Sequence, residues 1–275
     1  MMAAAVAAAA LSVTACGPSG VAAATHARES RAATAAASAA PAAPASPTPT
    51  PTPAAPLAGK TIGIDPGHNG QNKSDPAYLA RMVWNGRAME TCDTTGTESD
   101  SGYAEAAFTF AVSTDLRADL IRDGAKVVMT RQNNDGVGPC VDRRAQILNA
   151  ARASVAIDIH GDGGPASGRG FTVLDPVADG PNNAVIASSL RFGADVHAAM
   201  LAHTSMPVAD YYGQNGYIAR DDLAGLNLTT VPKILIECGN MRNATDARLM
   251  TTPAFQQQLA AAFTAAIITF LKPPA

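Results

Sequence analysis

Short apolar segments that lead to a histidine or a glutamate recur along this chain of 275 residues, and they constrain its fold more than any other feature. Three of them lead to His68, to His160 and to Glu237. Each is a continuous β-prone run, which is typical of a strand covered on both faces. Between these runs, apolar side chains recur at the spacing of an α-helix. The alternation predicts an α/β fold: a single domain whose mixed, mostly parallel sheet carries helices on both faces.

The three strand-end residues are expected to lie close together. In an open α/β sheet, binding sites form in the crevice at the carboxyl ends of the strands, where side chains from separate strands converge. A single histidine after a strand is more commonly structural than a metal ligand. The hypothesis of a site therefore depends on the combination of His68, His160 and Glu237.

A helix is predicted over residues 103–122, between the strands of the two histidines. Its core-facing stripe repeats every four residues and comprises Phe108, Val112, Leu116 and Leu120. We expect Ser101 to cap its beginning and Gly124 to end it. Glu105 lies in the first turn, near the core-facing side. Taken alone, Glu105 is better explained as a favourable charge at the positive end of the helix dipole.

Two imidazoles and a carboxylate are a suitable ligand set for a catalytic zinc ion, which takes three protein ligands and a water molecule. Bound zinc lowers the pKa of that water to about 7 and polarises a scissile carbonyl. A second carboxylate is then needed to transfer the proton. Glu105 and Glu237 are both candidates, and the residues alone do not tell which of them binds the metal.

Further elements complete the predicted alternation: strands at residues 126–130 and 171–174, and helices at residues 142–152, 183–202 and 253–271. Residues 69–102 are expected to form a long loop, and residues 207–232 an irregular stretch. His197 and His203 are six residues apart on a predicted helix and therefore face different directions. We expect both at the surface.

The first 57 residues differ in composition from the rest and are not expected to fold. Residues 1–16 resemble an export signal that is too short to span a membrane, and their last four residues resemble a bacterial lipobox. Cys16 is therefore a candidate for lipidation, the alternative being a plain signal peptide with an incidental cysteine. Residues 17–57 contain a repeating Pro-Thr run and are predicted to be a disordered, extended tether, which leaves residues 58–275 as the folded domain.

Charge and cysteine content narrow the class of protein. The net charge is −3 and no basic stripe is present, so a nucleic-acid partner is not expected. Cys92 and Cys140 both lie in polar, turn-rich stretches, and in an oxidising compartment they are the natural disulfide pair. Cys238 follows an apolar run and is predicted to be a buried thiol.

The sequence around these residues resembles a known family. Residues 64–68 read Ile-Asp-Pro-Gly-His, residues 157–160 read Ile-Asp-Ile-His, and residues 234–240 read Ile-Leu-Ile-Glu-Cys-Gly-Asn. In this order they resemble the zinc-dependent N-acetylmuramoyl-L-alanine amidases of the amidase-3 family, over residues 59–271. The likeness is greatest to the small secreted mycobacterial and actinobacterial members.

The resemblance implies a role for each site residue. His68, Glu105 and His160 correspond to the family's ligands for one Zn²⁺, and Glu237 corresponds to its catalytic acid/base. The implied reaction is cleavage of the amide bond between N-acetylmuramic acid and L-alanine, so the implied partner is peptidoglycan or its muropeptide fragments. We expect an exported monomer in the cell envelope or outside the cell, attached to a membrane only through a lipid on Cys16.

The chain departs from the family's pattern beside His160. Asp158 replaces the usual Ser, and residues 161–163, Gly-Asp-Gly, replace the usual sequel. These changes affect the expected substrate contacts and not the expected ligands. The disulfide-closed hairpin of the small relatives agrees with a pairing of Cys92 with Cys140.

Four more residues are candidates for the site because of their position in the chain. Asp65 is expected to shape the turn before His68, with orientation of the His68 ring as the alternative. Tyr211, Arg220 and Asn227 precede the last strand and are candidates to line the muropeptide groove.

Two other classes of protein remain open. A zinc peptidase would use the same ligands to cut the stem peptides of peptidoglycan. A non-catalytic wall-binding module would not need a complete ligand set together with Glu237. The masses of the products separate the first from an amidase, and inactivity in the presence of zinc identifies the second.

Overall fold

The computed structural model describes residues 55–178 and 180–272. The signal-like segment, Cys16 and nearly all of the predicted tether lie outside the described residues. Leu57, which the sequence analysis assigns to the tether, is fully buried, and its backbone N–H donates to the carbonyl of Asp123 at 2.9 Å. The packed domain therefore includes Leu57.

Six strands form the main sheet and two more form a separate hairpin. In chain order the strands are β1 Thr61–Pro66, β2 Met82–Trp84, β3 Met89–Thr91, β4 Lys126–Met129, β5 Val155–Asp162, β6 Thr172–Pro176, β7 Tyr217–Arg220 and β8 Lys233–Asn240. The main sheet has the order β4-β1-β5-β8-β6-β7, and β2 pairs with β3 alone. β6 is antiparallel to β8 and parallel to β7, whereas all other neighbours in the main sheet are parallel. The predicted mixed, mostly parallel sheet is confirmed.

Helices cover both faces of this sheet. They are α1 Pro76–Leu79, α2 Glu105–Arg122, α3 Val141–Ala150, α4 Ile186–His203, α5 Ala224–Asn227, α6 Ala244–Met250 and α7 Pro253–Leu271. On one face, α2 and α4 pack on the strands and α7 packs on both helices. On the other face lie α3 and α5, which contact each other. We call these the core face and the site face.

The alternation of side chains along a strand decides which residues reach each face. In β5, Ile157 and Ile159 belong to the apolar cluster of the core face. Asp158 and His160 alternate with them and therefore point to the site face. In β8 the same alternation sends Glu237 to the site face, where it lines a cavity together with His160.

The last helix, α7, is long and apolar enough to cross a membrane by length and composition alone. More than half of that segment is buried, and α7 contacts both α2 and α4. Its apolar side chains are thus used in the domain core, as predicted for a closing helix.

The predicted beginning of α2 is wrong by two residues. The helix begins at Glu105, because Ala104 is extended and the N–H of Glu105 donates to the carbonyl of Thr97. Ser101 does not cap it, since the Ser101 hydroxyl pairs with that of Ser99. The predicted end is confirmed: Gly124 follows the last turn with a φ of 89°, which favours glycine.

Two regions predicted to be irregular contain regular elements. The stretch at residues 207–232 contains β7 and α5, and the loop at residues 69–102 contains α1 and the β2–β3 hairpin. Each of these elements has only three or four residues. Elements this short cannot repeat an apolar period, so the sequence pattern does not reveal them.

A disulfide joins the hairpin to the site face. Cys92, directly after β3, is bonded to Cys140, directly before α3, as the sequence analysis predicts. The backbone N–H of Val141 also donates to the carbonyl of Cys92 at 2.8 Å. Cys238 is a free, buried cysteine, which confirms the prediction for that residue.

Candidate metal centre

Three separate elements bring His68, Glu105 and His160 together. His68 follows β1, Glu105 is the first residue of α2, and His160 lies in β5. One possible ligand atom of each lies within 4.8 Å of those of the other two. His68 Nε2 is 3.2 Å from Glu105 Oε2, and His160 Nδ1 is 2.8 Å from Glu105 Oε1. The two imidazoles and the carboxylate thus face a common point.

Glycine allows this close approach. A Cβ atom on Gly67 would lie 2.4 Å from the His160 ring, so no other residue fits there without displacing that ring. The next residue, His68, has a φ of 56°, a left-handed conformation that is uncommon outside glycine. The Asp-Pro-Gly-His sequence therefore builds a turn that places one histidine ring beside the other.

Two buried arginines hold this turn through its backbone carbonyls. Arg131 donates to the carbonyl of Pro66 at 3.0 Å and to that of Ala106, in α2, at 2.9 Å. Arg144 donates to the carbonyl of His68 at 2.7 Å. Arg131 therefore links the turn that carries one candidate ligand to the helix that carries another.

Each histidine also contacts a second carboxylate through its other nitrogen. His68 Nδ1 is 3.0 Å from Asp93 Oδ1, and His160 Nε2 is 3.3 Å from Asp158 Oδ1. Such an outer carboxylate fixes the tautomer and orientation of a metal-binding imidazole. The nitrogens left for a metal are His68 Nε2 and His160 Nδ1, the two that face Glu105.

The two outer carboxylates belong to one buried ion-pair network. Arg144 pairs with Asp93 at 3.4 Å and with Asp65 at 3.0 Å. Lys233, which is fully buried, pairs with Asp65 at 2.7 Å and with Asp158 at 3.0 Å. A continuous chain of opposite charges therefore runs from the partner of His68 to the partner of His160.

Asp65 is at the centre of this network and does not itself pair with His68. Its Oδ1 accepts hydrogen bonds from Thr130 at 2.6 Å and from Arg144 at 3.0 Å. Burial by itself raises the pKa of Asp65, but the charges of Lys233 and Arg144 outweigh it and hold that pKa well below its usual range. The contacts agree with a role in shaping the turn, and the carboxylate in contact with the His68 ring is that of Asp93.

Without a metal, protons on the imidazoles compensate the Glu105 carboxylate. Burial by itself lowers the pKa of His68, but Glu105 and Asp93 outweigh it and raise that pKa to about 9. Burial by itself raises the pKa of Glu105, yet His68 and His160 hold it far below its usual range. A cation at this point would replace those protons, as metal binding to imidazoles requires.

Glu237 lies beside the cluster without joining it. It is paired across the sheet with His160, and its Oε2 atom is buried with no hydrogen-bond partner among the described residues. Burial raises the pKa of Glu237 to about 8; His160 opposes the shift, and Glu105 and Asp162 add to it. A carboxyl group with a pKa near neutrality is suited to exchanging a proton during a reaction.

A cavity of about 530 Å³ opens over these groups, which is a usual size for a small-molecule site. Arg220 lines it, as the sequence analysis predicts. The prediction for Asn227 is wrong, because that residue is fully buried and its amide donates to the carbonyl of Asp221. Tyr211 contacts the cavity lining through Asp162: the Tyr211 hydroxyl donates to Asp162 Oδ2 at 2.6 Å, and Asp162 lines the cavity.

Comparison with known proteins identifies the family of this chain. The sequence model described as N-acetylmuramoyl-L-alanine amidase, Amidase_3, matches residues 62–269. This chain belongs to the Amidase_3 family. An amidase of Mycobacterium tuberculosis, N-acetylmuramoyl-L-alanine amidase Rv3717, is 42% identical over 222 residues, which are 80% of this chain and 89% of the relative.

Solved structures of two mycobacterial amidases resemble this one. N-acetylmuramyl-L-alanine amidase Ami1 from Mycobacterium smegmatis is 40% identical with a TM-score of 0.74, over 78% of this chain and 98% of that chain. The apo form of Ami1 from Mycobacterium abscessus is 38% identical with a TM-score of 0.74, over 78% of this chain and 100% of that chain. The family and fold predicted from the motifs are therefore confirmed.

In this Amidase_3 chain, three charged residues behind the candidate ligands could not be found from the sequence pattern. Asp93, Arg144 and Lys233 are all buried, although charged residues are usually exposed. Asp93 follows a cysteine, and Lys233 begins β8, the strand that contains Glu237. A lysine directly before the apolar residues 234–236 is a signal of a buried partner, but only the structure identifies that partner.

Proposed function

We propose that this chain hydrolyses the amide bond between N-acetylmuramic acid and L-alanine in peptidoglycan. One Zn²⁺ would be held by His68, Glu105 and His160, and Glu237 would be the acid/base. The observation that supports this most is the convergence of those three donors beside Glu237, whose buried Oε2 atom has no hydrogen-bond partner among the described residues, in a chain of the Amidase_3 family.

The residues present suit zinc. Two neutral imidazoles and one carboxylate form a usual set of three protein ligands at a catalytic zinc. Asp93 and Asp158 hold the other nitrogens of the two rings, so the ligands are oriented in advance. When bound, zinc supplies a Lewis acid for the amide carbonyl and lowers the pKa of a water molecule to about 7.

Glu237 carries the proton in the proposed reaction. Its carboxylate takes a proton from the attacking water, and the oxygen of that water bonds to the carbonyl carbon of the lactyl group. The C–N bond then breaks, and Glu237 gives the proton to the alanine nitrogen. The products are a muramic acid carboxylate and a peptide with a free L-alanine amine. The raised pKa of Glu237, caused by burial, suits the second of these transfers.

The same proposal covers location and partners. The signal-like residues 1–16, the tether and the Cys92–Cys140 disulfide all fit an exported protein, because disulfides persist in oxidising compartments. The chain would act as a monomer on peptidoglycan or its fragments, and not on nucleic acid. A lipid on Cys16 would be its only attachment to a membrane.

Product masses test the reaction. Purified full-length protein is incubated with peptidoglycan and with a monomeric muramyl peptide, and the products are analysed by mass spectrometry. We expect intact stem peptides with a free L-alanine amine. Cleavage within the stem peptides would identify a peptidase instead, and no cleavage with zinc bound would favour the wall-binding module.

Substitution of Glu237 tests the division of roles. Glu237→Ala should abolish hydrolysis and leave one zinc ion per molecule, measured by metal analysis. Glu98→Ala, a change of an exposed glutamate, is the matched control and should retain activity. Full activity of Glu237→Ala, or loss of its zinc, would contradict the assignment of Glu237 to the proton and Glu105 to the metal.

A further inference from the structure

The β2–β3 hairpin has an exposed apolar surface that the proposed mechanism does not use. Met82, Trp84 and Met89 are each just over half exposed, and they are three of the six large apolar side chains exposed in the described part of the chain. Trp84 stands directly opposite Met89 in the ladder, and Met82 lies two residues before Trp84 on the same side. Concentrated exposure of this kind marks interaction sites.

The hairpin cannot turn this surface inward, because it is fastened at several points. Its turn residue Asn85 donates to the carbonyl of Asp222 at 3.1 Å. The inward-pointing Glu90 accepts from the backbone N–H of Ala224 at 3.2 Å. Its base is fixed by the disulfide that follows β3. The exposed face is therefore held in one position relative to the cavity.

The hairpin that carries this face borders the cavity of the candidate metal centre. The inward-pointing Glu90 and its neighbour Thr91 both line the cavity, so the end of β3 forms part of its rim. Thr91 stands opposite Met82 in the ladder, so its side chain lies on the side of the three apolar residues and links them to that rim. A cavity of about 530 Å³ has the size for a ligand of small-molecule dimensions and not for a polymer. The sugars that flank a muramyl group in the site must lie on the surface next to its rim.

We propose that Met82, Trp84 and Met89 bind the glycan strand of peptidoglycan next to the muramyl group that enters the cavity; this inference rests on the proposed function. A sugar ring presents an apolar C–H face edged by hydroxyl groups, which stacks on an aromatic ring such as that of Trp84. The rigid hairpin holds Trp84 and Met89 as a flat platform for such a ring.

The size of the surface argues against a second copy of the chain as its occupant. Three half-exposed side chains present on the order of 300 Å², whereas a standard interface buries about 800 Å² from each partner. A saccharide chain needs only a narrow platform, so the available area suits it.

The first test uses the fluorescence of Trp84, which is the only tryptophan of the chain. Full-length, zinc-loaded protein is titrated with soluble glycan strands of alternating N-acetylglucosamine and N-acetylmuramic acid from which the peptides have been removed. We expect a saturable change of tryptophan emission, and none with free stem peptide. A change with vesicles of phosphatidylglycerol and phosphatidylethanolamine but not with glycan would overturn the proposal in favour of a lipid surface.

The second test uses substitutions and calorimetry. Trp84→Ala should weaken glycan binding about tenfold, and Trp84→Phe should retain most of it because an aromatic ring remains. The ratio of kcat/KM on polymeric substrate to kcat/KM on a monomeric muramyl peptide should fall about tenfold in Trp84→Ala as well. Leu201→Ala, an equally exposed residue on α4, is the matched control and should change neither quantity.

The results also separate this inference from the proposed function. Equal glycan affinity in Trp84→Ala and the unchanged protein would overturn the inference even if the chain proves to be an amidase. Dimerisation that is lost in Trp84→Ala, measured by sedimentation, would overturn it in favour of a second copy. Cleavage within the stem peptides, with glycan binding still dependent on Trp84, would refute the proposed function alone.

Discussion

The two faces of the main sheet are stabilised in different ways. The core face holds most of the buried apolar side chains, from α2, α4, α7 and the strands, in one continuous cluster. Among the described residues, the site face has two small apolar clusters, around Leu148 and around Leu226, together with the buried ion-pair network. Because successive residues of a strand point to opposite faces, a single strand contributes to both. Stability and chemistry can therefore be separated residue by residue along one strand.

Substitutions of two neighbouring residues of β8 should differ most in whether they reduce stability or activity. Ile236 is fully buried in the core face, so Ile236→Ala should lower the free energy of unfolding by about 4 kcal/mol through lost burial and the cavity left behind. Glu237→Ala should abolish activity without lowering that free energy, since its buried Oε2 atom has no partner to lose. Urea titration and kinetics on both variants check this. A large loss of stability in Glu237→Ala would show that the faces are not separable.

The convergence on the site face could be predicted because it depends on strand order and direction. His160 and Glu237 end up side by side since β5 and β8 are parallel neighbours. The division of roles between Glu105 and Glu237 could not be derived from the residues, because both are acidic groups near the core. The family resemblance was needed to assign the two roles. The structure adds that Glu105 lies between the two histidines.

The ion-pair network could not be predicted, for a physical reason. Asp65 and Lys233 are 168 residues apart in the chain, and nothing local in either sequence region specifies the other. The strands of the hairpin have three residues each, too few to show a β period, so only the family resemblance and not the residue pattern implied a hairpin. The sequence pattern predicts elements whose residues repeat at a regular spacing. A single contact between distant residues has no such repeat, so the pattern does not predict it.

Lys233 tests how far the site face depends on charge. Lys233→Met should lower the free energy of unfolding by about 3 kcal/mol, because it leaves buried carboxylates without their cation. Adding Asp158→Asn should restore part of the loss, since one of those charges is removed. Lys126→Met, at an exposed position of β4, is the control. Equal stability of Lys233→Met and the unchanged protein would mean that the network contributes orientation only.

Asp158 should affect metal binding more than stability. Asp158→Asn removes the charge beside His160 Nε2 and leaves Asp65 to compensate Lys233. Loss of such an outer carboxylate typically weakens metal affinity about 10- to 100-fold. Competition with a chromophoric chelator measures the zinc Kd, and Asp135→Asn, in an exposed loop, is the control. An unchanged Kd would show that the ring of His160 is oriented without Asp158.

Asp175 is an exception to the contrast between the two faces, because its carboxylate lies on the otherwise apolar core face. It follows Leu174 in β6, and a Cβ on Gly193 of α4 would lie 2.6 Å from its Oδ1 atom. That atom is buried with no hydrogen-bond partner among the described residues, and burial raises the pKa of Asp175 to about 6. Asp65, buried with cationic partners, has its pKa shifted in the opposite direction.

The raised pKa makes the contribution of Asp175 depend on pH in a definite direction. Below pH 3.8 the group is protonated in both the folded and the unfolded chain, so it costs nothing; as the pH rises through 6 the folded state must bury a charge and loses stability. Asp175→Asn removes that cost. It should raise the free energy of unfolding by about 1 kcal/mol at pH 8, after allowance for the partial exposure of the group, and by much less at pH 4. Urea titrations at both pH values measure the difference. A gain in stability of equal size at both pH values would mean that the charge of Asp175 does not cause the gain. The core face would then tolerate this carboxylate as well as the site face tolerates its ion-paired carboxylates.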